Sequence, residues 1–308
     1  MRHAVARLAD QIRPARGRMA VLLVRNVVGS VIAYLACVEA SVPVLLLDAR
    51  TRPDDLRRIL DLYEPELVLA VDETNPGPGH EPAPLEFGLT AWWRASPGSH
   101  PRIHPDLAVL LSTSGSTGSA KLVRLTRRNL EANAESIRLA LSIDGAERGM
   151  ASLPLHYSYG LSVVNSHLAA GASVVLTEES VASPRFWRLL GDERCTSMPG
   201  VPYTYDLLAR IGFEQIDTPS LRTLTQAGGK LAPELVLRFH SAMSARGGRL
   251  HVMYGQTEAT ARIACLPRGV LPARHASVGV AIPGGHLSIQ HAADGAARGE
   301  IVYRGPNV

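Results

Sequence analysis

Apolar residues along this chain come in short unbroken runs separated by stretches of helical periodicity. Residues 19–24, 42–47 and 67–71 are apolar almost throughout and predict buried strands, with helices over 27–40 and 52–63 between them. Short apolar runs alternating with amphipathic stretches predict parallel strands joined by crossover helices. Residues 75–105 break the pattern with seven prolines and with Gly77, Gly79, Gly88 and Gly98, so a long surface connection is expected there. Residues 107–111 resume the sheet, and Thr126 is placed to cap a helix over 127–142. A second alternating series then predicts strands near 150–153, 173–176, 196–198, 221–225 and 250–253. Its helices fall near 159–170, 184–191, 202–211 and 233–246, three of them opening on proline. After Gly269 short β segments and turns suggest the start of a small antiparallel piece. The fold class this predicts is α/β, with mostly parallel sheets.

Composition narrows the picture only modestly. At 308 residues, 46% hydrophobic and 19% charged, the chain has the balance of a globular protein with a large core. The net charge of +4 comes from scattered arginines, with no dense basic run and 5% aromatics, so no nucleic-acid partner is expected. Cys37, Cys195 and Cys265 are far apart and lack C-x-x-C spacing, which suggests neither disulfides nor zinc and points to a reducing, cytoplasmic compartment. Residues 21–47 are the most apolar region, yet Arg25, Asn26, Glu39 and Pro43 interrupt it, so no membrane span is expected.

Candidate chemistry starts at residues 112–121, Ser-Thr-Ser-Gly-Ser-Thr-Gly-Ser-Ala-Lys, directly after an apolar run. Gly115 and Gly118 permit positive φ, so successive N–H groups can face one concavity. Ser112, Thr113, Ser114, Ser116 and Thr117 add hydroxyls, and Lys121 adds a positive charge. Such a loop suits a polyphosphate; the bland alternative is a flexible Ser/Gly surface turn. A Walker loop is excluded by Ala120 and Leu122, which stand where its second glycine and its magnesium-binding hydroxyl belong. The serine spacing also fails the Gly-x-Ser-x-Gly elbow of an α/β-hydrolase. A second cluster, Tyr254-Gly255-Gln256-Thr257-Glu258, follows the strand-like 250–253. Its aromatic ring, hydroxyl and carboxylate suit adenine, phosphate and magnesium respectively. Taken singly, Tyr254 reads equally as a strand-end tyrosine and Glu258 as a solvated acid.

Together these motifs resemble those of the AMP-forming acyl/aryl acid ligases, the adenylate-forming enzymes. The match runs nearly residue for residue from Thr113 to Lys121, with Ala120 where that family most often has proline, and again at Tyr-Gly-x-Thr-Glu. Gln226-Ala-Gly-Gly-Lys-Leu231, Ser277–Gly284 and Gly299–Val308 resemble further family segments in the right order. The resemblance covers roughly residue 18 onward. It implies two αβα lobes with a cleft between them and the start of a β-barrel-like subdomain. In this chain those parts would be residues 1–140, 141–267 and 268–308. It also implies attack of a substrate carboxylate on the α-phosphate of ATP, then transfer of the acyl group to the thiol of CoA or of a carrier-protein pantetheine. On that reading residues 113–118 cradle the β/γ-phosphates and Lys121 damps their charge. Thr257 meets the α-phosphate, Glu258 holds Mg2+, Tyr254 packs the adenine, and Gly228 and Gly229 let backbone approach the nucleotide.

The same resemblance places the acid substrate against His156, Tyr157, Tyr159, Gly160, Ala227, Gly228 and Lys230. His156 stands where peptide-synthetase adenylation domains have an aspartate for the α-amino group, which favours a plain carboxylic acid. A structural histidine is the alternative. Lys230 reads either as a solvated surface lysine or as a hint of an anionic acyl tail. Family members continue with a ribose-binding aspartate, a hinge and a small lid domain. The 308 residues are therefore expected to be the large N-terminal domain alone, weakly active or inactive. The alternative is a non-catalytic nucleotide-binding remnant or scaffold of the same fold. The expected partners are a small carboxylic acid and an acyl or peptidyl carrier protein.

Overall fold

A computed structural model describes residues 1–71, 74–96, 103–113, 121–291 and 298–308. They group into two compact units, the first Met1–Arg127 with Pro154–Tyr157, the second Arg128–Leu153 with Ser158–Val308.

Unit 1 opens with helix α1 (Arg2–Ile12), which the hydrophobic pattern did not announce. Strand β1 (Ala20–Val24), helix α2 (Val28–Ala40), strand β2 (Val44–Asp48), helix α3 (Pro53–Tyr63) and strand β3 (Leu67–Ala70) follow the predicted alternation. β1 pairs in parallel with both β2 and β3. Their apolar side chains are buried on both faces, as a sheet covered on both sides requires. Pro53 starts α3 and Asp54 and Asp55 sit in its first turn, where a missing N–H is tolerated and negative charge is favoured.

The proline-rich stretch is not merely a connection. It contains an antiparallel hairpin of β4 (His80–Pro84) and β5 (Thr90–Arg94), and β5 pairs with β3. Pro82 and Pro84 are accommodated because β4 is the edge strand, where a missing N–H costs no ladder bond. Strand β6 (Leu107–Ser112) lies parallel to β2, and β7 (Leu122–Thr126) runs antiparallel beside it. The sheet order is β4-β5-β3-β1-β2-β6-β7. The helix expected over 127–142 starts where predicted, and the unannounced strand before it extends the sheet edge through Leu122–Thr126.

Unit 2 contains α4 (Arg127–Leu141, assigned here from Arg128), β8 (Arg148–Ala151), α5 (Ser158–Ala169), β9 (Ser173–Leu176), α6 (Pro184–Asp192) and β10 (Ser197–Gly200). It continues with α7 (Pro202–Arg210), β11 (Thr223–Gln226), α8 (Pro233–Ala245), β12 (Arg249–Tyr254) and the short β13 (Ala264–Cys265) and β14 (Val280–Ala281). Its sheet order is β14-β13-β12-β11-β10-β8-β9, parallel from β9 to β12 and antiparallel beyond. A separate antiparallel pair, β15 (His286–His291) and β16 (Gly299–Arg304), closes the chain. One core cluster of unit 2 is built on Phe186, Tyr205, Phe213 and Phe239, with Tyr205 edge-on to Phe239 at 5.0 Å between ring centroids. The observed architecture is the mixed α/β class with two mostly parallel sheets.

Candidate functional site

In unit 1 the hydroxyl-rich loop leaves the sheet between β6 and β7. Ser112 pairs with Leu122, and the Thr113 N–H donates to the Lys121 carbonyl at 3.1 Å, closing the loop's neck. Thr113 is half-buried and Lys121 exposed. Ser114, Gly115, Ser116, Thr117 and Gly118 lie outside the described residues.

The four-residue segment Pro154–Tyr157 also belongs to unit 1. It brings a half-buried His156 near Asp48, at the end of β2, and Arg50. Burial pulls the His156 imidazole below its ordinary range; Asp48 opposes this and Arg50 reinforces it. For Asp48, burial raises the carboxyl, but hydrogen bonds from the Arg50 backbone and side chain outweigh it and the net shift is downward.

In unit 2 the Tyr254–Glu258 motif is the turn between β12 and the antiparallel β13. A Cβ at Gly255 would collide with the Ala261 carbonyl oxygen, so only glycine fits where the two sides of the loop touch. The chain then makes a single 3-10 turn over Thr257–Ala259 and reverses through Thr260 and Ala261, whose φ values of 56° and 104° are positive. Such backbone persists only where surrounding contacts impose it. Here they do. Asn307, 1% exposed, donates from Nδ2 to the carbonyls of Ala259 at 2.8 Å and Arg262 at 3.0 Å, while its Oδ1 accepts from the Tyr303 hydroxyl at 2.7 Å. The Thr260 hydroxyl donates to the Asn307 carbonyl at 2.7 Å, and Asn133 Nδ2 donates to the Arg262 carbonyl at 3.1 Å.

Within this loop Tyr254 and Thr257 are half-buried, while Gln256 and Glu258 are exposed. The Thr257 hydroxyl lies 3.1 Å from that of Ser158, the first residue of α5, so two hydroxyls stand at a helix N-terminus. Among the described residues no group of three His, Cys, Asp or Glu side chains is placed to hold a metal by itself. A single open carboxylate such as Glu258 suits an ion that takes its other ligands from phosphate and water.

The glycine pair follows β11. Gln226 Nε2 donates to the Gly229 carbonyl at 2.7 Å, Gly228 has φ of 80°, and a Cβ at Gly229 would sit 3.0 Å from Pro202 Cγ. Ala227 is buried, whereas Gly228, Gly229 and Lys230 are exposed. Gly160 is buried in α5, and Tyr159 is 2% exposed. The Tyr159 hydroxyl donates to the Thr225 carbonyl at 2.9 Å, and the Arg262 guanidinium carbon lies 3.9 Å from the centre of its ring. Ser158, Arg262, Asn133 and Asn307 were not singled out from sequence. Only the Gly-Pro turn before Asn307 signalled that region, and no local pattern reveals which carbonyls a buried amide will reach.

The two sheets and the tight turn after β12 define the large N-terminal domain of the adenylate-forming fold. The AMP-binding enzyme family model matches residues 1–308, and the chain belongs to that family. It is 29% identical over 210 residues to a feruloyl-CoA synthase of an Amycolatopsis species, covering 66% of this chain and 42% of that protein. It is 26% identical over 336 aligned residues to an oxalate–CoA ligase of Arabidopsis thaliana, covering 99% of this chain and 64% of that protein. The chain therefore spans less than two thirds of the length of these curated relatives. The solved structure of VinN with L-aspartate superposes with a TM-score of 0.80 at 25% identity, covering 99% of this chain and 80% of that one. No helix among the described residues is long and apolar enough to cross a membrane.

Proposed function

We propose that this chain is the nucleotide- and acid-binding part of an enzyme that activates a carboxylic acid with ATP. The product is an acyl-adenylate, which the whole protein passes to the thiol of CoA or of a carrier-protein pantetheine. The observation that carries the reading is the Thr257–Ser158 contact of 3.1 Å at the start of α5. It sets a hydrogen-bonded pair of hydroxyls at the positive end of a helix, where the accepting one keeps its own O–H to donate to a phosphate oxygen.

Attack on phosphorus needs two anions held together and the developing charge neutralised, so positioning and electrostatics carry the rate. Thr257 and Ser158 hold the α-phosphate, Tyr254 lies along the adenine, and Gly228 and Gly229 give the nucleotide room at the backbone. Thr113 and the loop it opens take the β/γ-phosphates, and Lys121 offsets their charge. Glu258 is the residue for Mg2+, which when bound lowers the negative charge around the reacting phosphate. His156 steers the substrate carboxylate, while Ala227 and Gly160 line the acyl side with Tyr157, Tyr159 and Lys230 about it. Relatives that act on feruloyl and oxalyl groups support the reaction class, and their divergence leaves the acid open.

The test is calorimetric titration with MgATP and ATP–pyrophosphate exchange by the whole protein across a panel of acids. Saturable nucleotide binding with acid-dependent exchange is expected. Binding without exchange for any acid would favour a non-catalytic scaffold of the same fold, and absence of both would overturn the proposal.

A further inference from the structure

The turn that carries Thr257 and Glu258 is held from outside its own stretch of sequence. The carbonyls of Ala259 and Arg262 flank Thr260 and Ala261, and both accept from the side-chain amide of Asn307, at 2.8 and 3.0 Å. Carbonyls only accept, so the amide nitrogen must face them and the amide oxygen must face the Tyr303 hydroxyl at 2.7 Å. Both donors and the acceptor of this buried side chain are therefore committed. The packing leaves room for the pair: a Cβ at Gly285 would collide with the Tyr303 hydroxyl, and one at Gly305 with that hydroxyl and with Asn307 Oδ1. The Tyr303 ring packs with Tyr254 against Ala259, Ile263 and Ala264. Asn129 and Asn133, one turn apart on α4, hold the same frame by donating to the carbonyls of Pro306 and Arg262, each at 3.1 Å.

What the amide spans is the costly part of the turn. Thr260 and Ala261 have φ of 56° and 104°, which side chains keep only under outside constraint. These two residues are tied directly to the motif. The Thr260 N–H donates to the Thr257 carbonyl at 3.0 Å, and the Ala261 N–H donates to the Gln256 carbonyl at 3.2 Å. If the reversal relaxes, Gln256 and Thr257 move with it, and so does Glu258 between the anchored points.

Resting on the acid-activation reading above, we infer that Asn307 is a positioning residue for that reaction: by bridging the Ala259 and Arg262 carbonyls it sets the Thr257 hydroxyl and the Glu258 carboxylate for phosphate and Mg2+. It acts through the backbone it holds. A misplacement of about 1 Å caused by a change away from the chemistry can cost about 100-fold in rate.

The experiment uses Asn307→Asp, which keeps the shape and the acceptor for Tyr303 but replaces the two donors with a carboxylate oxygen. Pyrophosphate exchange by the whole protein is expected to lose about 100-fold in kcat with the KM for the acid unchanged. Tyr303→Phe frees the amide but leaves its donors, and is expected to lose about tenfold or less. Val236→Ala, at a buried position of α8, is the control: it lowers the melting temperature as a core truncation does and is expected to keep kcat. A kcat loss in Asn307→Asp no larger than that in Val236→Ala overturns the inference, as does a loss carried by the acid KM alone. If Asn307→Asp does not fold, Tyr303→Phe decides, and a wild-type kcat there overturns the inference. If the wild type exchanges with no acid, the activation reading fails separately, and deuterium uptake over residues 255–263 judges the clamp. Faster uptake in Asn307→Asp with β11 still protected upholds it, and unchanged uptake overturns it.

Discussion

The sheets of the two units bury different chemistry. In unit 1 the fully buried positions of β1, β2 and β3 are all aliphatic, Ala20–Val24, residues 44–47 and Leu67–Ala70. In unit 2 the central strands bury Ser197, Thr223, Thr225, Gln226 and His251 beside their leucines. Apolar burial is non-directional and asks only for volume and shape. A buried polar side chain needs a specific partner, as the Thr225 hydroxyl has in Tyr159, Ser197 in His167, and Gln226 in the Gly229 carbonyl. Unit 1's sheet is therefore a scaffold, and unit 2's sheet is a scaffold whose side chains are also committed to positions.

Four measurements test that contrast, from the largest expected effect downward. Leu45→Ala, at a fully buried position of β2, should cost about 3 kcal/mol in urea unfolding and leave nucleotide affinity of the folded protein unchanged. A matching loss of affinity would break the distinction. In β12, burial first, then Arg249 and Arg268, lower His251 from its ordinary 6.5 to about 4. The unfolded chain takes up this proton more readily, so the stabilising effect is full above pH 6.5 and is lost as pH falls toward 4. The difference amounts to about 3 kcal/mol. His251→Asn should flatten that part of the stability–pH curve, and an unchanged curve would remove the assignment. Glu258→Gln should lower pyrophosphate exchange by the whole protein about 100-fold while the melting temperature stays put, since the side chain is exposed. Smallest is Ser183→Ala. Its hydroxyl caps α6 by accepting from the Arg185 N–H at 3.2 Å, and losing it should cost about 1 kcal/mol with no change in nucleotide binding.

Local pattern carried the alternation of strands and helices, because hydrophobic periodicity acts within a dozen residues. It did not carry β4 and β5. Prolines that read as a loop are compatible with an edge strand, and edge status is a property of the whole sheet. The motif after β12 was legible in its own residues. What shapes it was not: Ser158 meets Thr257 across 99 positions of sequence, and Asn133 reaches the Arg262 carbonyl across 129. Arg262 escaped notice for a related reason, since an isolated arginine normally reads as surface. A short amphipathic helix such as α1 and an arginine-containing strand such as β7 likewise carry weak signals on their own.

Asn307 has a consequence for the order in which this protein is made. The ribosome delivers the strands of both sheets, and the Tyr254–Glu258 turn itself, before residue 307 emerges. Until then the carbonyls of Ala259 and Arg262 lack the amide that bridges them. A nascent chain can thus have its layers assembled and its hydrophobic surface hidden while the Thr260–Ala261 reversal awaits its clasp. The geometry of this turn is thus completed later in synthesis than the sheets that carry it.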